Sequence, residues 1–166
     1  MTARLVLVGP PGAGKTTIGR LVADKLGLAF RDTDSDVEAV AGKPISDIFI
    51  DDGEPAFREL ERSAVTAALA EHDGVLALGG GAVTNDHIRD LLRGHRVVFL
   101  DVSLTDAASR VGLNRERPML VGNPRAQLRK LLEARRPRYE EVAAVTVDTT
   151  GRSPDDVAAE VVLHAG

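Results

Sequence analysis

A glycine-rich loop near the start of the chain limits the possible folds more than any other feature. Residues 9–16 read Gly-Pro-Pro-Gly-Ala-Gly-Lys-Thr, which is the pattern G-x-x-x-x-G-K-[ST]. An apolar run at residues 5–8 precedes the loop, and an amphipathic stretch begins at residue 18. In such a strand–loop–helix unit, backbone N–H groups and the positive end of the helix surround phosphate oxygens. The loop therefore predicts a nucleoside triphosphate site; the alternative is a glycine-rich turn with an exposed lysine.

Five short apolar runs, separated by helical patterns, predict the rest of the fold. The runs lie at residues 5–8, 28–30, 75–78, 96–100 and 144–147. Continuous apolar strands that alternate with helices are typical of a parallel sheet covered on both faces. We therefore expect one α/β domain over residues 1–166, a three-layer sandwich with its ligands beyond the carboxyl ends of the strands.

The composition excludes several classes of protein. The chain has no cysteine, so it contains neither a disulfide nor a thiolate metal site. Its net charge is −4 without a block of like charges, which argues against a nucleic-acid or membrane partner. The first strand begins close to Met1, and no apolar run approaches the length of a membrane span. We expect a cytoplasmic protein and, because no apolar stripe needs a partner, a monomer.

Acidic and glycine residues follow two of the predicted strands. Asp32 and Asp34 come directly after the second strand, and in an extended chain their carboxylates project to the same side. A phosphotransferase needs one carboxylate near magnesium and another near the attacking hydroxyl, whereas a solvated acidic turn is the alternative. Gly79, Gly80 and Gly81 follow the third strand. Three glycines destabilise a chain unless its backbone needs special angles or closely approaches a ligand; a plain flexible turn is the alternative.

Arg58 is a candidate for binding an anionic substrate. It lies on a predicted helix that begins near Pro55. Glu54 and Glu61 share its helical face. Arg58 therefore either joins a salt-bridge ladder or binds a substrate carboxylate with its guanidinium group.

A loop bounded by glycine and proline, residues 112–124, is predicted to be a lid, because long loops in compact domains are usually functional. Arg110 precedes this loop, and Arg115 and Arg117 lie within it. An arginine on a closing loop can stabilise the charge of a phosphoryl-transfer transition state. Arg117 is the best candidate because Pro118 restricts the backbone beside it, although solubilising charge is the alternative for each arginine.

Two further segments have a predicted structure. Residues 34–52 contain weak helical patterns at 36–41 and 46–50, which indicate an inserted substrate-binding piece. Residues 135–139 read Arg-Arg-Pro-Arg-Tyr and are predicted to end a basic helix at the proline. Favourable charge at a helix C-terminus explains the cations there, but the segment is also well suited to bind an anion.

Taken together, these motifs resemble those of the shikimate kinase family over nearly the whole chain. The shared features are the loop at 9–16, Asp32-Thr33-Asp34, the stretch Gly-Glu-Pro-Ala-Phe-Arg-Glu-Leu-Glu at 53–61, the triple glycine at 79–81, Arg117-Pro118 and the segment at 135–139. The phosphate loop is common to many families. The patterns G-E-x-x-F-R-x-x-E and R-x-P-x-Y, together with the triple glycine, are far more selective.

The resemblance implies a fold with five parallel strands in the order 2-3-1-4-5 and transfer of the γ-phosphoryl group of ATP to the 3-hydroxyl of shikimate. Residues 33–61 would bind the substrate. Thr16 and Asp32 would hold the cofactor Mg²⁺, Asp34 would act as the base, and Lys15 and Arg117 would contact the transferred phosphoryl group. The residues that would bind ATP are Gly12, Ala13, Gly14, Lys15, Thr16, Thr17, Arg110, Arg117 and Arg152.

The resemblance also implies how shikimate would bind. Arg58 and the arginine of R-x-P-x-Y would clamp its carboxylate, and backbone N–H groups of the triple glycine would assist them. Counting back from the proline and the tyrosine selects Arg135 over Arg136 as the second arginine. The residues that would contact shikimate are Asp34, Phe49, Phe57, Arg58, Glu61, Gly79, Gly80, Gly81 and Arg135.

The sequence also allows two other interpretations of the protein's function. One is a kinase of the same fold for another small acceptor, with gluconate a nearer competitor than a nucleoside monophosphate. The other is a nucleotide switch of the GTPase type, although no Asn-Lys-x-Asp motif for guanine occurs in the chain.

Overall fold

A computed structural model describes residues 3–110 and 124–165 of the chain. Its centre is a sheet of five parallel strands in the order β2-β3-β1-β4-β5, so the predicted sheet and strand order are confirmed. The strands are β1 (Leu5–Val8), β2 (Phe30–Asp32), β3 (Val75–Ala77), β4 (Val97–Asp101) and β5 (Val145–Asp148). In the central strand, Val6 pairs with Leu76 on one side and with Val97 on the other. Since the strands are parallel, all of them end at the same edge of the sheet.

Helices connect the strands and cover both faces of the sheet. On the described part of the chain they are α1 (Lys15–Leu26), α2 (Thr33–Ala41), α3 (Ile45–Asp52), α4 (Glu54–Glu71), α5 (Asp86–Leu92), α6 (Leu104–Arg110), α7 (Pro124–Val142) and α8 (Pro154–Leu163). A short 3₁₀ turn, Ala82–Thr84, precedes α5. No helix among the described residues has the length and apolar character needed to cross a membrane.

The strand β1 separates two apolar cores, because alternate side chains of a strand point to opposite faces. Leu5 and Leu7 pack in the core that includes α1 and α8. Val6 and Val8 pack in the core that includes α4 and α5. A third, smaller cluster joins α2, α3 and α4 and holds together the segment predicted to bind the substrate.

The predicted boundaries around Asp34 are wrong. The strand predicted at residues 28–30 runs instead from Phe30 to Asp32, and α2 begins at once with Thr33. The cause is the side chain of Asp32, which accepts the backbone N–H of Asp34 at 2.9 Å and caps the helix. Asp34 therefore lies in the first turn of α2 and not in an extended chain. The helices predicted at 36–41 and 46–50 both exist and are longer.

The prediction that Pro137 ends its helix is also wrong. The helix α7 continues through Pro137 to Val142. An internal proline costs about 3 kcal/mol or more. Two residues later, however, Tyr139 is buried against Phe99 with 4.9 Å between the ring centroids, which anchors the end of the helix. Of the predicted lid at 112–124, only Pro124 belongs to the described residues, as the first residue of α7.

Candidate active site

The phosphate loop connects the end of β1 to the start of α1. Gly12 and Gly14 have φ angles of 84° and 89°, a left-handed conformation that glycine adopts without steric cost. At Gly9, an added Cβ would lie 2.5 Å from the carbonyl oxygen of Leu100, so the loop passes directly over the neighbouring strand. Glycine is therefore required at these positions because the loop turns tightly and its backbone closely approaches the neighbouring strand, as expected for a phosphate-binding loop.

Lys15 lies at the start of α1, folded over its own loop. Its Nζ donates to the carbonyl oxygens of Gly9 and Pro10 at 2.7 Å and 3.1 Å. Burial lowers the pKa of Lys15 to about 8, against the opposing effect of the Asp34 and Asp32 carboxylates. An anion that binds in the loop would favour the charged form and give Nζ a stronger partner than these carbonyl groups.

A cavity of about 560 Å³ opens beside this loop. Asp34, the predicted base, lies in its lining. The lining also brings together residues predicted to bind ATP or Mg²⁺, which are Gly12, Ala13, Gly14, Lys15, Thr16, Thr17, Asp32, Arg110 and Arg152. Arg110 Nη1 donates to the carbonyl of Gly12 at 3.0 Å and to the hydroxyl of Thr149 at 3.1 Å. Arg152 is held by Asp156 at 2.9 Å and by Glu160 at 2.6 Å. Hydrogen bonds and ion pairs within the protein therefore hold both arginine side chains in place at the edge of the cavity.

Thr16 and Asp32 offer oxygen atoms at the phosphate end of this cavity. The Thr16 hydroxyl donates to Asp32 Oδ2 at 3.1 Å. Mg²⁺ commonly takes one or two protein oxygens and completes its octahedral coordination with waters and substrate phosphates. Among the residues described, no group of three or more His, Cys, Asp or Glu side chains could form a fuller metal cage. The pair therefore fits Mg²⁺ bound together with nucleotide phosphates.

Asp34 faces the triple glycine from the first turn of α2. An added Cβ at Gly79 would lie 2.5 Å from Asp34 Oδ1 and 3.0 Å from Glu61 Oε2. Burial raises the pKa of Asp34 to about 6; the carboxylates of Asp32 and Glu61 also raise it, while Lys15 lowers it. A carboxyl group that titrates this close to neutrality is suited to accept a proton from a substrate hydroxyl.

Arg58 and Arg135 meet at Gly81. An added Cβ at Gly81 would lie 2.6 Å from Arg58 Nη1 and 3.0 Å from Arg135 Nη2. Arg58 Nη1 also donates to Glu61 at 2.8 Å, and Arg58 Nε lies 3.4 Å from Glu54. The two sequence-based readings of Arg58 are thus compatible, because the salt-bridge ladder holds a guanidinium group that still reaches Gly81. Two cations beside one backbone segment form a site suited to a carboxylate.

The triple glycine is explained by space and not by unusual backbone angles. None of Gly79, Gly80 and Gly81 has a positive φ, so the special-angle explanation is wrong. An added Cβ would meet Asp34 at the first position, Pro11 of the phosphate loop at 3.0 Å at the second, and the two guanidinium groups at the third. The segment therefore allows three separate parts of the site to converge on it.

The consecutive residues Arg135 and Arg136 point to different surroundings. Both terminal nitrogens of Arg136 bind the carboxylate of Asp101, at 2.9 Å and 2.8 Å, and its guanidinium carbon lies 5.4 Å from the ring centroid of Phe99. Arg135 is the one that lies beside Gly81. This divergence follows from the helix, where adjacent residues are about 100° apart.

Phe49 and Phe57 form an aromatic pair with 4.7 Å between their ring centroids. Phe57 is 5% exposed, whereas Phe49 is 37% exposed and available to a ligand. The Arg58 guanidinium carbon lies 5.2 Å from the centroid of Phe57, which places the pair beside the arginine site. Arg115 and Arg117, predicted in the lid, lie outside the described residues.

Two residues that contact the site, Tyr139 and Thr149, have no role predicted from the sequence. Tyr139 Oη donates to the carbonyl of Gly80 at 2.6 Å. The hydroxyl of Thr149 donates to the carbonyl of Asp101 at 2.7 Å and accepts from Arg110. The four-residue spacing of Arg135 and Tyr139 puts both on one face of a helix, so the sequence could have indicated that Tyr139 lies near the site. No comparable signal marked Thr149.

The fold and this site define a class of protein. The phosphate loop and its cavity form a nucleotide half, the two arginines and the triple glycine form an anion-binding half, and a carboxylate with a raised pKa lies between them. Such an arrangement is that of a phosphate-loop kinase that acts on a small anionic acceptor.

Comparison with known proteins identifies the family. The family model for shikimate kinase matches residues 11–165. The shikimate kinase of Salinispora arenicola is 62% identical over 94% of this chain and 93% of its own length, and that of Streptomyces avermitilis is 57% identical over 98% and 94%. The chain therefore belongs to the shikimate kinase family.

Solved structures agree with this assignment. A shikimate kinase from Acinetobacter baumannii in complex with shikimate matches with a TM-score of 0.90 and 38% identity over 98% of this chain and 91% of its own. A gluconokinase from Sinorhizobium meliloti matches with a TM-score of 0.59 and 22% identity, a likeness that concerns the fold alone. Gluconate is therefore the less supported acceptor.

Proposed function

We propose that the protein transfers the γ-phosphoryl group of ATP to the 3-hydroxyl of shikimate, as its family membership implies. The observation that carries this proposal is the position of Asp34, which lines the nucleotide cavity and also touches the glycine segment shared with Arg58 and Arg135. One carboxylate therefore borders both the nucleotide half and the acceptor half of the site.

The nucleotide half would hold ATP by its phosphates and its base. Backbone N–H groups of the phosphate loop and the charge of Lys15 would surround the phosphate oxygens. Arg110 and Arg152 would border the adenine at the other part of the cavity. Thr16 and Asp32 would hold Mg²⁺, which supplies neutralisation of the phosphate charge when it is bound.

The acceptor half would hold shikimate by its carboxylate. Arg58, kept in place by Glu61, and Arg135 would form charge-assisted hydrogen bonds to it, and the N–H groups of Gly80 and Gly81 would add donors. Phe49 and Phe57 would border the ring of the substrate. A carboxylate held at one end orients the hydroxyl at the other end, which reduces the entropy cost of reaching the reactive geometry.

Asp34 would accept the proton of the 3-hydroxyl as the oxygen attacks the γ-phosphorus. The O–H bond breaks toward the carboxylate, a new P–O bond forms, and the bond between the γ-phosphorus and the bridging oxygen breaks to leave ADP. Arg117 would stabilise the charge of the transferred phosphoryl group. The net charge of −4, without a block of like charges, argues against nucleic-acid and membrane partners. The protein is also proposed to be cytoplasmic and monomeric, which fractionation and light scattering would test.

A single assay tests the proposed function. The protein is mixed with Mg-ATP, and ADP release is measured with shikimate, with gluconate and without an acceptor. Release that depends on shikimate, and that stops when a chelator removes Mg²⁺, is the expected result. Release that depends on gluconate and not on shikimate would refute the proposal.

A further inference from the structure

Tyr139 connects two parts of the predicted acceptor site that lie on different elements. Its side chain is 1% exposed and stacks on Phe99, with 28° between the ring planes. Its hydroxyl donates to the carbonyl oxygen of Gly80 at 2.6 Å. A phenylalanine would fill the same volume and keep the stacking, so packing alone does not account for the hydroxyl.

The bond to Gly80 also sets the direction of the next N–H group. The carbonyl of Gly80 and the N–H of Gly81 share one peptide plane, and in a trans peptide they point in opposite directions. Among residues 3–110 and 124–165, the N–H of Ala82 donates to Gly79 at 3.1 Å, whereas the N–H of Gly81 donates to no protein acceptor. Tyr139 therefore holds in place a peptide whose N–H remains available to a ligand.

The second cation of the site lies one helical turn from Tyr139. Arg135 lies four residues before Tyr139, on the same face of α7. Burial raises the pKa of Tyr139 to about 12, against the opposing effect of the nearby charge of Arg135. The hydroxyl that bonds to the Gly80 carbonyl thus lies close to the cation that meets the same glycine segment at Gly81.

We propose that Tyr139 is a positioning residue for the carboxylate of the acceptor: its hydroxyl orients the Gly80–Gly81 peptide so that the Gly81 N–H faces the same anion as the Arg135 guanidinium group. The proposal rests on the proposed function, because it assumes a carboxylate between these donors. It adds a residue whose contribution is to substrate affinity and not to the phosphoryl transfer itself.

The test compares the wild-type enzyme with Tyr139→Phe, which keeps the ring on Phe99 and removes only the oxygen. We expect the KM for shikimate to rise about tenfold, since the Gly81 N–H is no longer held toward the carboxylate, which corresponds to ~1.4 kcal/mol. The kcat and the KM for ATP are expected to stay within about twofold, because the nucleotide half is unchanged.

Thr84→Val is the matched control. The hydroxyl of Thr84 donates to the carbonyl of Gly81 at 2.7 Å, so this change also removes one hydrogen bond to the same segment. The peptide that it fixes carries the N–H of Ala82, which is already bonded to Gly79. We therefore expect lower thermal stability in this variant and an unchanged KM for shikimate.

A shikimate analogue with a primary alcohol in place of the carboxylate completes the test. Wild type and Tyr139→Phe should show the same KM for this analogue, because the effect acts through the carboxylate. An unchanged shikimate KM in Tyr139→Phe, an equal rise in Thr84→Val, or an equal rise with the analogue would each overturn the positioning role alone. A wild-type enzyme without shikimate-dependent ADP release would overturn the proposed function and this role with it.

Discussion

At the scale of the residue, the chemistry of the site depends on the surroundings of Asp34. Its pKa of about 6 results from burial and from the carboxylates of Asp32 and Glu61. Asp36, two residues later on the same helix, is bound instead by Arg31 at 2.7 Å. Two aspartates in one helical turn thus have different surroundings, because one faces the sheet edge and the other faces a cation.

Replacing Asp34 with asparagine tests the role of the base. We expect Asp34→Asn to bind Mg-ATP normally and to lose about 10²- to 10⁴-fold in kcat, the usual contribution of general base catalysis. Steady-state kinetics with shikimate and a nucleotide-binding titration provide the measurements. Asp36→Asn is the control and should keep kcat within twofold, whereas near-normal turnover in Asp34→Asn would exclude the base role.

The raised pKa of Asp34 also predicts a pH dependence. The carboxylate must be deprotonated to accept a proton, so kcat/KM for shikimate should fall below about pH 6 by about tenfold per pH unit. The measurement is a pH–rate profile at saturating Mg-ATP. The residual activity of Asp34→Asn should lack this acidic limb; if it keeps the limb, a different group titrates.

At the scale of the element, the segment of glycines after β3 and the helix α7 form the proposed acceptor half. The segment is free of side chains, so α2, the phosphate loop and two arginines approach it from different sides. The helix α7 places Arg135 and Tyr139 one turn apart and turns Arg136 toward Asp101. The glycine segment thus allows close approach, and the helix fixes the direction of each side chain that it carries.

Substitutions in the glycine segment should separate chemistry from binding. In Gly79→Ala the new Cβ would lie 2.5 Å from Asp34 Oδ1, so the carboxylate must move and kcat should fall about tenfold or more. In Gly81→Ala the Cβ would meet the guanidinium groups of Arg58 and Arg135, so the KM for shikimate should rise about tenfold. Steady-state kinetics on both variants provide the measurement. A rise in KM alone in Gly79→Ala together with a fall in kcat alone in Gly81→Ala would contradict this account.

The arginine pair on α7 offers a second test at this scale. Arg135→Ala should raise the KM for shikimate about 10- to 100-fold, the range for a lost charge-assisted hydrogen bond. Arg136→Ala removes a partly exposed ion pair with Asp101 and should change stability by at most about 1 kcal/mol, with KM unchanged. If only Arg136→Ala raises KM, the assignment of the carboxylate ligand is reversed.

At the scale of the whole molecule, the strand order creates the site. The central strand β1 lies between β3 and β4, so the phosphate loop that follows β1 meets the glycine segment that follows β3. Ligands in such sheets bind beyond the carboxyl ends of the strands. The cost of this arrangement is that Asp34 is kept ionised near other carboxylates, in surroundings that disfavour its charge.

That cost predicts a change in the stability of the whole protein. The pKa of Asp34 is raised in the folded state, so folding is favoured below the unfolded pKa of about 3.9 and this advantage is lost as the pH rises through 6. Asp34→Asn should therefore raise the free energy of unfolding by about 1 to 2 kcal/mol at pH 8 and have little effect near pH 4. Denaturant unfolding at both pH values measures this, and an equal effect at both would contradict it.

The parallel α/β fold, the phosphate loop and the family could be predicted from the sequence, because apolar periodicity and the spacing of rare motifs are local properties of the chain. The same motifs predict Asp34, Arg58 and the triple glycine as site residues. The tertiary structure was needed to show that Asp34 begins a helix, that α7 continues through Pro137, and that the glycines are required for space and not for special angles. These outcomes depend on a side-chain cap, on the burial of Tyr139 and on contacts between residues far apart in the chain, which no local pattern contains.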